Sequence, residues 1–459
     1  MSRAAYHCEL AWLGGDHAVA DVLVEVDGDR IVTVTPGSRV HELPADTVRL
    51  AGLTLPGLAN AHSHAFHRAL RGRTHDGVGS FWTWRDQMYG LAATLDPESY
   101  HRLARATFAE MALAGVTCVG EFHYLHHQPG GEQYRDPNAM GAALVAAAAD
   151  AGVRITLLDT CYLQGGIGQA PNQVQRRFSD VRVERWVERV EALRSLASPV
   201  VRIGAAVHSV RAVDPASIEQ VARWANQHEA PLHAHVSEQP AENHQCIEAF
   251  ALTPLELLAE RHALDAAFTA VHATHLTEHD VRLLQMHRSA VCICPTTERD
   301  LADGIGDTAA WRDAGTPIAV GSDSHAVIDL FEELRATELD ERLSSLVRGN
   351  HAVPTLLEAG TAGGHHSLGW PDAGRISVGS LADLVSVRLD SVRTAGGGAE
   401  HALATAVFAA TAADVHHVVA GGRVVVRDGS HLTVDVAAEL HGSIGAVWAA
   451  AADTSVVTP

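Results

Sequence analysis

The chain has 459 residues, 47% hydrophobic and 19% charged, with a formal net charge of −21; all 34 of its basic Lys/Arg positions are arginine. That composition is globular and long enough for one large barrel with an appended unit, and the negative field excludes a nucleic-acid backbone or an anionic membrane as partner. The absence of lysine excludes a Schiff base, a phosphate-loop lysine and a carbamylated lysine bridging two metals, which favours one metal held by His and Asp.

The first residues alternate in strand fashion, most clearly in VLVEVDGDRIVTV (22–34), where Asp-Gly turns between valine-rich runs. Eight short apolar runs follow: LTLPGLANAHSH (53–64), VTCVGEF (116–122), VRITLLDTC (153–161), VRIGAAVHSV (201–210), PLHAHVS (231–237), FTAVHATHL (268–276), SAVCICP (289–295) and PIAVGSD (317–323). Between them lie amphipathic segments such as PESYHRLARATFAEMALAG (97–115) and SIEQVARWANQHE (217–229), with helical spacing. Strand character returns in GSLADLVSVRL (379–389) and in VHHVVAGGRVVVRDG (415–429), around Gly-Gly. The expected fold is α/β: a (β/α)8 TIM-like barrel over residues 55–374, with a small β-sandwich unit built from 1–54 and 375–459.

Six scattered cysteines without a C-x-x-C pair are expected to be reduced core residues. The N-terminus lacks a basic stretch followed by a sustained apolar one, and no apolar run reaches the roughly 18 residues that span a bilayer. A cytoplasmic protein is expected.

Chemically loaded residues fall at the C-terminal ends of the expected strands, where barrel enzymes place their active sites. His62 and His64 end the first, Glu121 the second, His208 the fourth, His235 the fifth, His272 the sixth and Asp323 the eighth. A His-x-His on a strand sends both imidazoles to one face, close enough to share one ion. His235 and Glu238 are three apart at a strand end, so the carboxylate can lean over a metal and serve as a general acid/base. His272, inside its apolar run, is preferred over His275, and His233 is expected to be a core or supporting residue. Asp323 in GSDSH sits among small residues that allow close approach to an ion. The pairs His126-His127, His365-His366 and His416-His417 are expected to be structural or exposed, since adjacent strand residues face opposite ways.

The order PG-x-x-NAHSH, H-x-x-E, H and SD-x-H resembles the amidohydrolase superfamily, specifically its deaminase-like branch with one zinc. NAHSHAFHRALRG, SFWTWRDQMYG and VGEFHYLHH look more narrowly like the formimidoylglutamate deiminases. The resemblance implies hydrolysis of N-formimino-L-glutamate to N-formyl-L-glutamate and ammonia in histidine degradation, by a homodimer with one zinc per subunit. It implies zinc on His62, His64, His235 and Asp323, with Glu238, His272 and Asp323 catalytic. It places His67, Arg85, Tyr124, His208 and Arg211 around the substrate, and His67 departs from the Gln found in many relatives. A substrate with two carboxylates needs fixed cations inside an acidic protein, and Arg85 and Arg211 can provide bidentate grips. The other reading is a related deaminase acting on a nucleobase, triazine or guanidino compound.

Overall fold

In the computed structural model, residues 3–39, 43–75 and 78–455 are described. The N-terminal strands are β1 (Arg3–Ala11), β2 (Val19–Asp27), β3 (Arg30–Thr35) and β4 (Val48–Pro56). In β2 the alternation works as expected: Val22, Val24 and Val26 are buried, and Gly28, at φ 65°, turns the chain between the paired Asp27 and Arg30.

The eight apolar runs form eight parallel strands: β5 (Leu58–Ser63), β6 (Val116–His123), β7 (Arg154–Cys161), β8 (Val201–Val207), β9 (Leu232–Val236), β10 (Phe268–His272), β11 (Ala290–Ile293) and β12 (Ile318–Val320). Every residue of β6 and β7 is buried, as expected where helices cover the outside of a parallel sheet and side chains fill its inside. The outer helix Pro97–Leu113 starts where the sequence signals it, with Pro97 in its first turn and the Asp96 carboxylate accepting the Ser99 N–H at 2.8 Å.

The seam between β12 and β5 is narrow. Ser63 bridges Asp323, the Asp323 N–H donates to the His62 carbonyl at 3.0 Å, and the His64 N–H donates to the Asp323 carbonyl at 3.2 Å. A Cβ on Gly321 would come within 2.8 Å of the His62 backbone, so this glycine lets the two strand ends meet. The small residues around Asp323 therefore serve strand closure as well as any approach to an ion.

The last strands are β13 (Leu384–Val387), β14 (Val415–Ala420), β15 (Arg423–Arg427) and β16 (Ser430–His431). They join the N-terminal strands in one mixed eight-stranded sheet ordered β16-β15-β14-β13-β4-β1-β2-β3, so both ends of the chain build one β-unit. Gly421 and Gly422, both at positive φ, make the tight β14–β15 turn. A buried ion pair ties this unit to the barrel: Arg154 Nη1 lies 2.6 Å from Asp383 Oδ1, which also accepts the Gly421 N–H at 2.7 Å. The helix Val436–Ser455 returns to the barrel, where Trp448 Nε1 donates to the Ala69 carbonyl at 2.9 Å. All six cysteines are buried free thiols. No helix among the described residues is long and apolar enough to cross a membrane.

Candidate metal centre and active site

Four of the expected residues converge at the barrel seam. His62 Nε2 lies 3.2 Å and His64 Nε2 3.3 Å from Asp323 Oδ1, and His235 Nε2 lies 3.1 Å from His62 Nε2. Tetrahedral zinc bonds of about 2.0–2.1 Å set ligand atoms roughly 3.3 Å apart, so this donor set fits one small divalent ion. Its nitrogens are aimed from behind: His64 Nδ1 is 2.9 Å from the Phe122 carbonyl and His235 Nδ1 is 2.9 Å from the His208 carbonyl. Those acceptors fix the ring tautomer and leave the Nε2 lone pairs facing the centre. Burial also keeps these rings neutral, lowering the pKa of His64 to about 3 and that of His235 well below the usual imidazole range.

The segment carrying His62 and His64 is braced by Glu121, which accepts the Ser63 hydroxyl at 2.6 Å and the Ala65 N–H at 2.7 Å. Burial pushes the Glu121 carboxyl up to about 8. Glu121 thus lies two residues before the end of its strand, acts behind the site and does not line the pocket. His325 shares in this bracing, with Nδ1 3.0 Å from Ser322 Oγ and Nε2 3.3 Å from Ser63 Oγ.

On the open side, His272 Nε2 lies 3.8 Å from Glu238 Oε1 and 3.9 Å from Asp323 Oδ2. Burial opposes the charged form of His272, but the carboxylates of Glu238, Asp323 and Glu298 outweigh it and raise its pKa well above the usual value. Burial raises the Glu238 carboxyl above the usual carboxylate range, the direction expected of a proton-transfer group in an active site. His272 and Asp323 both hold left-handed backbone, at φ 67° and 41°, a strain that clusters at functional sites.

A pocket opens above this group and is lined by His64, His67, Arg85, Tyr124, His208, Arg211, His235, Glu238, His272 and Asp323; of the residues expected to bind metal, bind substrate or react, only His62 does not line it. His67 Nε2 lies 2.9 Å from the Tyr124 hydroxyl, and burial holds its ring neutral. The His208 ring sits 4.6 Å from that of Tyr162. The two arginines flank one indole: the Arg85 guanidinium is 4.6 Å and that of Arg211 5.9 Å from the Trp82 ring. Among the described residues the buried Nε of each lacks a hydrogen-bond partner, and the charge of Arg211 acts on the buried carboxyls of Glu238 and Glu242 without a direct bond to either.

The structure separates the other histidines from the centre. His275 Nε2 bonds the Asp303 carbonyl at 2.7 Å and His233 Nε2 the Ser367 carbonyl at 2.9 Å. His127 pairs with Asp180 at 3.0 Å, next to Arg189, which also bridges Asp159. His365 and His366 lie on a helix, with His365 buried and His366 exposed. For His416 and His417 the strand rule fails locally: Ser386 and Val387 of β13 pair with His417 and Val415, so His416 is the extra residue of a bulge and the two rings sit 4.6 Å apart.

Sequence reasoning missed the aromatic wall of Phe81, Trp84, Tyr89, Tyr162 and Phe178. Phe81, Trp84 and Met88 recur at helical spacing on the helix Phe81–Ala92, a signal that could have marked that face. Gln175, also missed, fixes part of this wall by donating to the hydroxyls of Tyr162 at 2.8 Å and Tyr89 at 3.1 Å.

Residues 53–425 match the amidohydrolase family. The chain is 36% identical over 395 residues to formimidoylglutamate deiminase from Pseudomonas aeruginosa, covering 83% of this chain and 86% of that protein. It is 29% identical over 392 residues to a 5-methylthioadenosine/S-adenosylhomocysteine deaminase from Natronomonas pharaonis, covering 84% of each. The crystal structure of an amidohydrolase from Brucella melitensis superposes with a TM-score of 0.89 at 30% identity, over 97% of this chain and 100% of that one.

Proposed function

The chain belongs to the amidohydrolase family and is a hydrolase of C–N bonds of the deaminase type; from that premise we propose that it deiminates N-formimino-L-glutamate to N-formyl-L-glutamate and ammonia in histidine degradation. The observation that carries this reading is the pair of arginines, Arg85 and Arg211, that line a pocket also holding the proton-transfer group and whose Nε atoms have no hydrogen-bond partner among the described residues. Two fixed cations suit a small dicarboxylate. The likeness to the Pseudomonas aeruginosa deiminase supports the same substrate.

His62, His64, His235 and Asp323 would hold one zinc per subunit, and zinc bound there supplies the Lewis acidity that makes a water nucleophilic near neutral pH. Arg85 and Arg211 bind the two carboxylates, and Tyr124, His67 and His208 shape the space around the formimino group. As the water oxygen bonds to the formimino carbon, its proton passes to Asp323, whose Oδ2 faces the open side toward His272. Glu238 delivers a proton to the imino nitrogen, and His272 steadies the attacking oxygen. As the tetrahedral carbon collapses, the hydroxyl proton and the one held by Asp323 are passed on, one to the amino nitrogen, which leaves as ammonia, and one to restore Glu238, while the oxygen stays as the formyl carbonyl. The reading includes a cytoplasmic homodimer divided into the barrel of residues 55–374 and the terminal β-unit.

A second reading, a deaminase of a flat heterocycle, draws on the aromatic wall and on the likeness to the Natronomonas pharaonis enzyme. Such a substrate leaves both arginines unused, which is why it ranks second. Glu238→Gln tests the mechanism: turnover falls about 10²–10⁴-fold while bound zinc stays at the wild-type level. Turnover near wild type in that variant would falsify the role given to Glu238.

A further inference from the structure

We propose that Glu298 is a positioning residue that orients the imidazole of His272 toward the reacting atoms. The inference deepens the mechanism above and rests on His272 facing the substrate.

Glu298 follows β11 on the short helix Pro295–Asp300 and is 4% exposed, so its carboxylate is out of contact with bulk water. A carboxylate in such a place needs donors. Oε1 has two: the Cys294 N–H at 2.8 Å, and Nδ1 of His272 at 3.3 Å. The opposite nitrogen of the same ring, Nε2, faces Glu238 Oε1 and Asp323 Oδ2. The imidazole is therefore held from behind by one carboxylate and presents its other nitrogen to the group that moves protons.

That arrangement fixes two things. Donation from Nδ1 to Glu298 keeps a hydrogen on Nδ1 and fixes which ring edge faces the carboxylate, whether or not Nε2 is also protonated. It also penalises a flip of the ring, which would set a carbon against Oε1. The Cys294 N–H bond in turn fixes the carboxylate itself, so the orientation of His272 is passed down from the end of β11. His272, Cys294 and Glu298 also lie close enough together to be read as a second metal group. One observation speaks against this: Oε1 is already engaged by the Cys294 N–H and by His272.

The test compares full-length Glu298→Gln, which keeps an acceptor oxygen, with Glu298→Ala, which removes it. Kinetics on N-formimino-L-glutamate, metal content and the crystal structure of each variant are read together. The alanine variant is expected to lose about a hundredfold in kcat with KM within roughly threefold, with unchanged metal content and with His272 flipped or split between two orientations. The glutamine variant should stay within about tenfold of wild-type kcat, with the ring in place. If alanine prevents folding, Glu298→Leu fills the volume without an acceptor and carries the same expectation. Wild-type kcat and ring orientation in the alanine or leucine variant overturn the proposal. So does loss of a metal equivalent, or an equal fall in both variants with KM rising in parallel. A wild-type protein inactive on formiminoglutamate would count against the substrate reading alone, because the ring orientations in the variants still decide the role of Glu298.

Discussion

Replacing Arg85 or Arg211 by methionine isolates what the two guanidiniums do. Methionine keeps an unbranched apolar stem and removes the charge. The folded protein should lose little: the buried Nε of each arginine has no hydrogen-bond partner among the described residues, and the contacts with Trp82 and Tyr89 at 4.6 and 5.4 Å for Arg85, or with Trp82 and Phe81 at 5.9 and 6.0 Å for Arg211, are cation–π in kind. Such contacts are worth about 0.5–1 kcal/mol at partly exposed sites. A charge-assisted bond to a substrate carboxylate is worth roughly 1.5–3 kcal/mol, which at about 1.4 kcal/mol per decade is a 10- to 150-fold loss of kcat/KM. The assay is steady-state ammonia release from N-formimino-L-glutamate and from formiminoglycine, which lacks the distal carboxylate. The variant at the arginine that binds the distal carboxylate should lose activity on the glutamate compound and keep its activity on the glycine compound. The other variant should lose activity on both. If both variants stay within threefold of wild type on both compounds, the arginines do not bind the substrate and the dicarboxylate reading fails.

Three further outcomes follow from the structure. Arg189→Met should destabilise the fold by about 3–5 kcal/mol, measured by urea unfolding, because it leaves the buried carboxylates of Asp159 and Asp180 without their shared cation; a change under 1 kcal/mol would show that the network is not needed. Burial acts against the Asp414 carboxylate, but bonds from Arg393 at 2.8 and 2.9 Å and from the Thr411 N–H lower its pKa to about 2. With the folded pKa below the unfolded value, its stabilisation is present above about pH 4 and fades as pH falls toward 2; Arg393→Ala should flatten that part of the stability–pH curve, and an unchanged slope would contradict the assignment. Chelation should abolish turnover and lower Tm together, since an ion bound only by the folded protein stabilises it by about 4 kcal/mol at a thousandfold excess over Kd; zinc should restore both, and full turnover in metal-free protein would refute the metal centre.

Much of the barrel could be read from the sequence because its strands are buried on both faces. A strand such as VRITLLDTC then appears as a continuous apolar run between polar segments, and all eight runs became strands. The site residues were visible for a related reason: His62, His64, His235, His272 and Asp323 interrupt or end those runs, where a charged or ionisable group needs a purpose. The contribution of Glu298 was not legible. It lies in PTTERD, which reads as an ordinary helix start, and only the fold brings its carboxylate to His272. The bulge at His416 was hidden as well, since an extra residue in one strand is defined by the register of its partner, 30 residues away in Ser386. The aromatic wall was half legible: the spacing of Phe81, Trp84 and Met88 marks a helix face, but whether that face meets the core or a pocket depends on packing.

The most direct test of the central claim is product analysis of zinc-loaded protein offered N-formimino-L-glutamate, with guanine, cytosine and formiminoglycine in parallel. The account predicts rapid and stoichiometric release of ammonia and N-formyl-L-glutamate from the first compound, with the others slow or inert. Release of formamide in place of ammonia, or turnover of a nucleobase with formiminoglutamate untouched, would contradict it.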